Sequence, residues 1–373
     1  MRIGTIAGQP AVTGAGCVTS LAVIPWRFRA ALIRAYNCLM PVGQLAAACA
    51  MRTERRESGG AEDECHPRIE RHIMDNQSRS DQDLGTRNGL RLRRLGRTEK
   101  LVTELGIGGH FTVGPTKHED VDRRVGELHH VLDQGINYWD VQWEPEEEAS
   151  ARVLRERGDE VVVAWPLHGV AEQLANGSLT AQYVIDYCHD HQKRYGLKRI
   201  DILLVIAVGN LAPGAAVFEP LIEGFEAIKK EGWCDYLGFS CHEGPEFAIS
   251  ALRTYDHFDV LMFPYNFLYH KADEELIGLA NDLDVGMVAM KPCGSAYPKG
   301  GLLCWAYAGD ELAEGLEPYL GLGRPFQTAV QWVLRNRLIS TTVPGVHNHQ
   351  QIDELVAAAQ ADWWPDNEAL IEA

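Results

Sequence analysis

Residues 217–240 read Val-Phe-Glu-Pro-Leu-Ile-Glu-Gly-Phe-Glu-Ala-Ile-Lys-Lys-Glu-Gly-Trp-Cys-Asp-Tyr-Leu-Gly-Phe-Ser. Phe218, Leu221, Ile222, Phe225 and Ile228 recur at three- and four-residue spacing, so 217–231 should form an amphipathic helix. Gly232 stops that pattern, and Tyr236–Ser240 is an apolar run of strand length. A helix that hands over to a strand within five residues is half of a βα unit.

The same rhythm extends both ways from this segment. Strands are expected at Leu101–Gly108, Ile136–Asp140, Val161–Ala164, Ile200–Ile206, Tyr236–Ser240, Val260–Pro264, Gly286–Met290 and Thr341–Val343. Helices are expected at 118–134, 146–157, 180–195, 217–231, 245–254, 272–282, 325–336 and 349–359. Eight βα units in roughly 270 residues define an α/β protein built as a (β/α)8 TIM barrel. A doubly wound sheet would need a G-x-G-x-x-G turn after its first strand. The chain instead has Gly106-Ile-Gly108-Gly109 followed by His110. No short-period repeat suggests a solenoid or propeller.

The chain has 373 residues and a net charge of −17. Residues 1–73 hold nine Arg and no Lys against six acids, a local +3, so the other 300 residues carry −20. An acidic body disfavours nucleic acid or an anionic membrane as the main partner. Residues 1–73 are expected to be a poorly structured extension or a start-site artefact, with Met74 as an alternative beginning. Residues 74–90 are polar and read as a flexible lead-in. The barrel is expected over 91–359, with a tail at 360–373. Arg27, Arg29 and Arg34 interrupt the apolar stretch 16–26 short of a membrane span. The nine cysteines form no C-x-x-C, which fits reduced thiols in a cytoplasmic protein.

Several segments, in order and at matching spacing, resemble the aldo/keto reductase family. They include Leu105-Gly-Ile-Gly-Gly109, Gly135-Ile-Asn-Tyr-Trp-Asp140, Tyr195-Gly-Leu-Lys-Arg-Ile-Asp-Ile-Leu-Leu204 and Lys229-Lys-Glu-Gly232 with Leu237-Gly-Phe-Ser240. Pro264-Tyr-Asn-Phe267, Met290-Lys-Pro-Cys-Gly-Ser295 and Ala329-Val-Gln-Trp-Val-Leu334 through Val343-Pro-Gly345 complete the series. The resemblance implies hydride transfer from NADPH or NADH to a carbonyl or sugar-like small molecule. It also implies a catalytic Tyr, a Lys paired with an Asp, and a His. No iron–sulfur cluster is expected, because the cysteines it would need are missing.

Asp140 fits the Asp of that set. Where the Tyr should follow, the chain reads Val141-Gln-Trp-Glu-Pro145. Trp165-Pro166 stands at the Lys and Ile206 at the His. Two nearby residues offer substitutes: His168 as a proton donor near neutral pH, and Trp143 as a surface for stacking substrate. Tyr265, at a strand end, is also expected to line the substrate. On the cofactor side, Ser240 and His242 match residues around the nicotinamide. Lys291 suits a phosphate, and Pro292, Cys293, Gly294 and Ser295 resemble a loop approaching the pyrophosphate. Gly345, His347, Gln351 and Glu354 fall where the adenine ribose would be read. No Lys or Arg stands there for a tight NADP clamp, so the choice between NADP and NAD stays open.

Neither Glu62-Asp63-Glu64-Cys65-His66 nor His189-x-His191 has the spacing of a metal site. Two other function classes stay in view. One is a catalytically inactive barrel acting as a binding or regulatory protein. The other is non-redox chemistry through His168, His242 or Lys291.

Overall fold

The computed structural model describes residues 83–109, 118–206, 208, 217–242, 244–267, 269–273, 275–293 and 324–372. The extension 1–73 lies outside the described residues, as do Gly294 and Ser295. A small antiparallel sheet comes first: β1 (Thr86–Arg87), β2 (Leu90–Arg94) and β3 (Leu101–Thr103). Eight parallel strands follow, each paired with the next: β4 (Ile107–Gly108), β5 (Tyr138–Asp140), β6 (Val162–Leu167), β7 (Ile202–Val205), β8 (Tyr236–Ser240), β9 (Val260–Pro264), β10 (Gly286–Met290) and β11 (Thr341–Val343). Parallel bridges Leu105–Thr342 and Gly108–Gly345 join the last strand to the first and close the barrel.

The outer layer holds α1 (Val121–Asp133), α2 (Glu146–Arg157), α3 (Val170–Asn176), α4 (Ala181–Tyr195), α5 (Glu219–Lys230), α6 (Pro245–Thr254), α7 (Leu276–Asp282), α8 (Pro325–Leu334), α9 (His349–Gln360) and α10 (Asn367–Glu372). Side-chain oxygens of Asp120, Thr180 and Asn348 accept hydrogen bonds from the first turns of α1, α4 and α9, satisfying amides that have no partner within the helix.

Side chains alternate across each strand, and the cores inside and outside the barrel record the alternation. Tyr138, Val162, Ala164, Ile202, Leu204, Ile206, Met262, Val288, Met290 and Val343 fill the barrel. Val163, Trp165, Leu167, Leu203, Val205, Phe239 and Phe263 point outward beneath the helices. There Phe218, Phe239 and Phe258 meet edge-to-face at 4.7–5.0 Å, a geometry that stabilises beyond simple burial. This parity turns Asp140, Pro166 and Ser240 inward at the C-terminal ends of their strands, where barrels of this kind carry their chemistry.

The N-terminal end is closed by charge. Arg94, Arg97 and Lys100, in and just after β2, pair with Asp284, Asp259 and Asp201, which precede β10, β9 and β7. Gly96 takes φ +50 at this plug, and a Cβ there would lie 2.2 Å from the Gly286 amide nitrogen. Only glycine lets the two backbones approach so closely.

Two expectations need correcting. Leu101–Gly108 is two strands: the chain bends at Glu104–Gly106, leaving β3 in the floor hairpin and β4 in the barrel. At the bend the Glu104 amide donates to Arg91 of the hairpin while its carbonyl accepts from Thr342 of β11, so the chain passes from one sheet to the other at this residue. The segment 74–90 also reaches into the fold, since residues 86–90 belong to the hairpin and Leu90 is fully buried. Short helices α3 and α10, within the 165–180 loop and the 360–373 tail, add to the expected set. The tail packs through Trp363 under Arg335 and Trp364 under Arg324.

Candidate active site

Asp140 ends β5 pointing into the barrel mouth, 5% exposed. Gln142 Nε2 donates to its Oδ1 at 2.6 Å. Gly109 makes room for this turn: a Cβ there would sit 2.8 Å from the Asp140 carbonyl oxygen and the Gln142 amide. Pro166 and Ile206, the inward residues that end β6 and close β7, add no charge. Burial therefore dominates and lifts the Asp140 carboxyl to about 8, with the nearby Glu146 charge pushing the same way. Glu146 is itself clasped by the fully buried Arg124 at 2.9 Å, and Arg124 also reaches Glu127.

His168 lies just past the end of β6, in the loop that leads to α3. Its ring lies flat against Trp143, with centroids 4.3 Å apart and planes 16° from parallel. Trp143 is half exposed. Both imidazole nitrogens are buried and make no hydrogen bond of good geometry. The nearest carboxylate oxygen, Glu147 Oε1, is 3.8 Å away and is likewise unbonded. Burial holds the His168 pKa down and the Glu147 pKa up. Glu147 Oε2 accepts from Tyr195 at 2.7 Å, and behind them Trp165 Nε1 donates to His191 Nδ1. The sequence places Glu147 only in an acidic helix start; the missing clue was Tyr195, 48 residues away.

The other expected residues divide into three groups. Ser240 is buried and inward, while His242 and Lys291 meet at 3.0 Å between Nδ1 and Nζ. Lys291 sits at φ +57, a strained backbone for a side-chain-bearing residue, and Asn266 Nδ2 clamps its carbonyl at 3.0 Å. These side chains share the rim above β8, β9 and β10. Past β11, Gly345 is exposed with open space where a side chain would be. His347 is tied to Gln351 through its amide and to Arg123 through its carbonyl. Glu354 is engaged on the surface with Gln327 and Gln350. Arg123, arriving from α1, is also paired with Glu127 at 3.0 Å.

Tyr265, Cys293 and Pro292 are placed otherwise. Tyr265 turns outward and is 3% exposed; its hydroxyl donates to Asp273 and accepts from Asn336, and its ring packs on Trp332. It follows inward-facing Pro264, so the pleat sends it away from the mouth. The Cys293 thiol points to the Phe326 carbonyl in α8, and Pro292 is buried. Among the described residues, no cluster of His, Cys, Asp or Glu could hold a metal ion, and no helix is long and apolar enough to cross a membrane.

An eight-stranded βα barrel with an acid and a cation at its C-terminal rim is an architecture used by many enzymes. The family model described as "Aldo/keto reductase family" matches residues 104–369. The chain belongs to that family. It is 24% identical over 314 residues to the Schizosaccharomyces pombe protein described as "Putative voltage-gated potassium channel subunit beta", covering 72% of this chain and 88% of that one. Its fold is similar to the holo form of aldo-keto reductase AKR11C1 from Bacillus halodurans, with TM-score 0.60 and 20% identity over 76% of this chain and 95% of that one. The apo form of the same enzyme aligns with TM-score 0.55 and 21% identity over the same shares.

Proposed function

We propose that this protein is an NAD(P)H-dependent oxidoreductase that reduces the carbonyl group of a small molecule at the C-terminal mouth of the barrel. The observation that carries the reading is Asp140, turned inward at the mouth of a barrel whose rim also holds Ser240, His242 and Lys291. The donor set suits the cofactor. The Ser240 hydroxyl is matched to a nicotinamide carboxamide, and the Lys291 ammonium to a phosphate. The open backbone at Gly345, with Arg123 beside His347, suits the adenosine end. When bound, the cofactor supplies a hydride; the protein holds the carbonyl and provides a proton. Trp143, half exposed, offers a flat face for the substrate. The buried thiols Cys188 and Cys234 fit a reducing cytoplasm.

Titration of the full-length protein with NADPH and NADH, followed by nucleotide fluorescence, tests this reading. Quenching or a blue shift is expected. No change at millimolar nucleotide would sink it.

A second reading, a catalytically inactive barrel serving as a binding or regulatory protein, is favoured by Pro166 and Ile206 standing where the family has its Lys and His. The channel-subunit description of the yeast relative points the same way. Nucleotide binding without turnover of any aldehyde or ketone would favour it over reduction.

A further inference from the structure

We propose that Asp140 itself, in its protonated form, delivers the proton to the substrate's carbonyl oxygen. The role rests on the reduction proposed above. In the family arrangement the Asp is a charge partner for a Lys and a Tyr gives the proton; here the Lys position is Pro166, and the Asp inherits a different task. The strand pleat aims it into the barrel mouth rather than at the helices. Its surroundings meet the chemical requirement. The Gln142 amide occupies Oδ1, which assigns the proton to Oδ2.

Among the described residues, the charged and titratable groups around Asp140 are few. Tyr138 lies below it on β5, with its hydroxyl buried and unbonded. Glu146 faces it from α2 and is paired with Arg124 of α1. His168, beyond β6, has both nitrogens shielded under Trp143. On the far strands, His242 and Lys291 are engaged with each other. Among the described residues no cation is paired with Asp140. A carboxyl buried without a cation keeps its proton at neutral pH, and burial raises this one to about 8. A neutral acid of that kind can both polarise a carbonyl and protonate the oxygen as charge develops there.

The step balances. The carbonyl carbon takes a hydride, with its electron pair, from the reduced nicotinamide. The carbonyl π pair moves onto oxygen, and that oxygen takes the proton from Asp140 Oδ2. The products are the alcohol, the oxidised nicotinamide and the Asp140 carboxylate, which regains a proton from water before the next turnover.

The test reads the acid directly. Infrared spectra of the full-length, nucleotide-free protein should show a protonated-carboxyl C=O band at pH 6.5 that is missing from Asp140→Asn and fades around pH 8. Pro166→Lys, which puts an ammonium beside the carboxyl, should move that midpoint down by at least about one pH unit; Ile206→Lys gives the same readout if the first variant does not fold. With an aldehyde and saturating NADPH, kcat should fall about tenfold per pH unit above the same midpoint. Asp140→Asn should lose about 100-fold or more in kcat while still quenching NADPH fluorescence. A band that titrates in the ordinary carboxylate range overturns the proposal. So does an Asn variant that binds nucleotide and turns over at the wild-type rate, which would leave the reduction standing. Absence of nucleotide binding in the parent protein would instead remove the reduction and this role together.

Discussion

The two ends of the barrel treat carboxylates in opposite ways. At the floor, three acids that precede strands each meet a cation from the hairpin segment: Asp284 with Arg94, Asp259 with Arg97, Asp201 with Lys100. The same acids also hold strand amides, as Asp201 does for Val163 and Asp259 for Leu237. At the mouth, Asp140 is as buried as any of them and meets only an amide. Matched charge makes a rigid base; an unmatched acid makes a reactive group that folding must tolerate.

That contrast can be broken from either end. The largest effect should come from Arg94→Met, which strands the nearly buried Asp284 without its cation. Denaturant unfolding should show a loss of about 3 kcal/mol, little changed by salt. Next is the stability of Asp140→Asn against pH. The native state binds the Asp140 proton more tightly than the unfolded chain does, so its stability drains away as pH rises from the ordinary carboxylate range to about 8 and is level above. The Asn variant should therefore melt roughly 4 °C or more above the parent at pH 8.5, and close to it at pH 4. Equal melting curves at both pH values would mean that Asp140 has found a cation after all. Lys100→Ala should cost below about 1 kcal/mol, and the cost should shrink in high salt, because this pair is partly exposed. Smallest is Trp143→Ala, within about 0.5 kcal/mol of the parent in stability. It should admit water to His168, and NMR of the ring protons should then show its titration moving up toward that of an ordinary histidine.

Most of the fold was legible because barrel strands and helices differ in period and length. The 217–240 segment shows how: α5 and β8 fall within the expected 217–231 and 236–240. Where legibility failed, tertiary contacts had overridden a local pattern. Residues 101–108 look like one strand, yet Thr103 pairs with Leu92 of the hairpin and its amide donates to the Asn137 side chain at 2.6 Å rather than to a barrel strand. Helix α3 opens on Gly169 at φ +75 with no side-chain cap, so no start signal preceded it.

At the site, Asp140 could be read from its segment, and its inward aim follows from the same pleat as Tyr138. Tyr265 could not, because Val260–Tyr265 is apolar on both faces and its alternation is silent. The shielding of His168 depended on Trp143 folding back across 25 residues of chain. The Arg123 contact with His347 spans 224 positions. Neither leaves a trace in local composition.

The flat contact between Trp143 and His168 has an optical consequence. An indole excited against an imidazolium loses its emission to charge transfer, whereas a neutral imidazole leaves it bright. Trp143 is the exposed member of that pair, and its light should dim as acid reaches the ring beneath it. Trp143→Phe would remove that component of the spectrum. The protein thus carries a luminescent gauge of its own protonation, set on the residue that follows Gln142 of the Asp140–Gln142 contact.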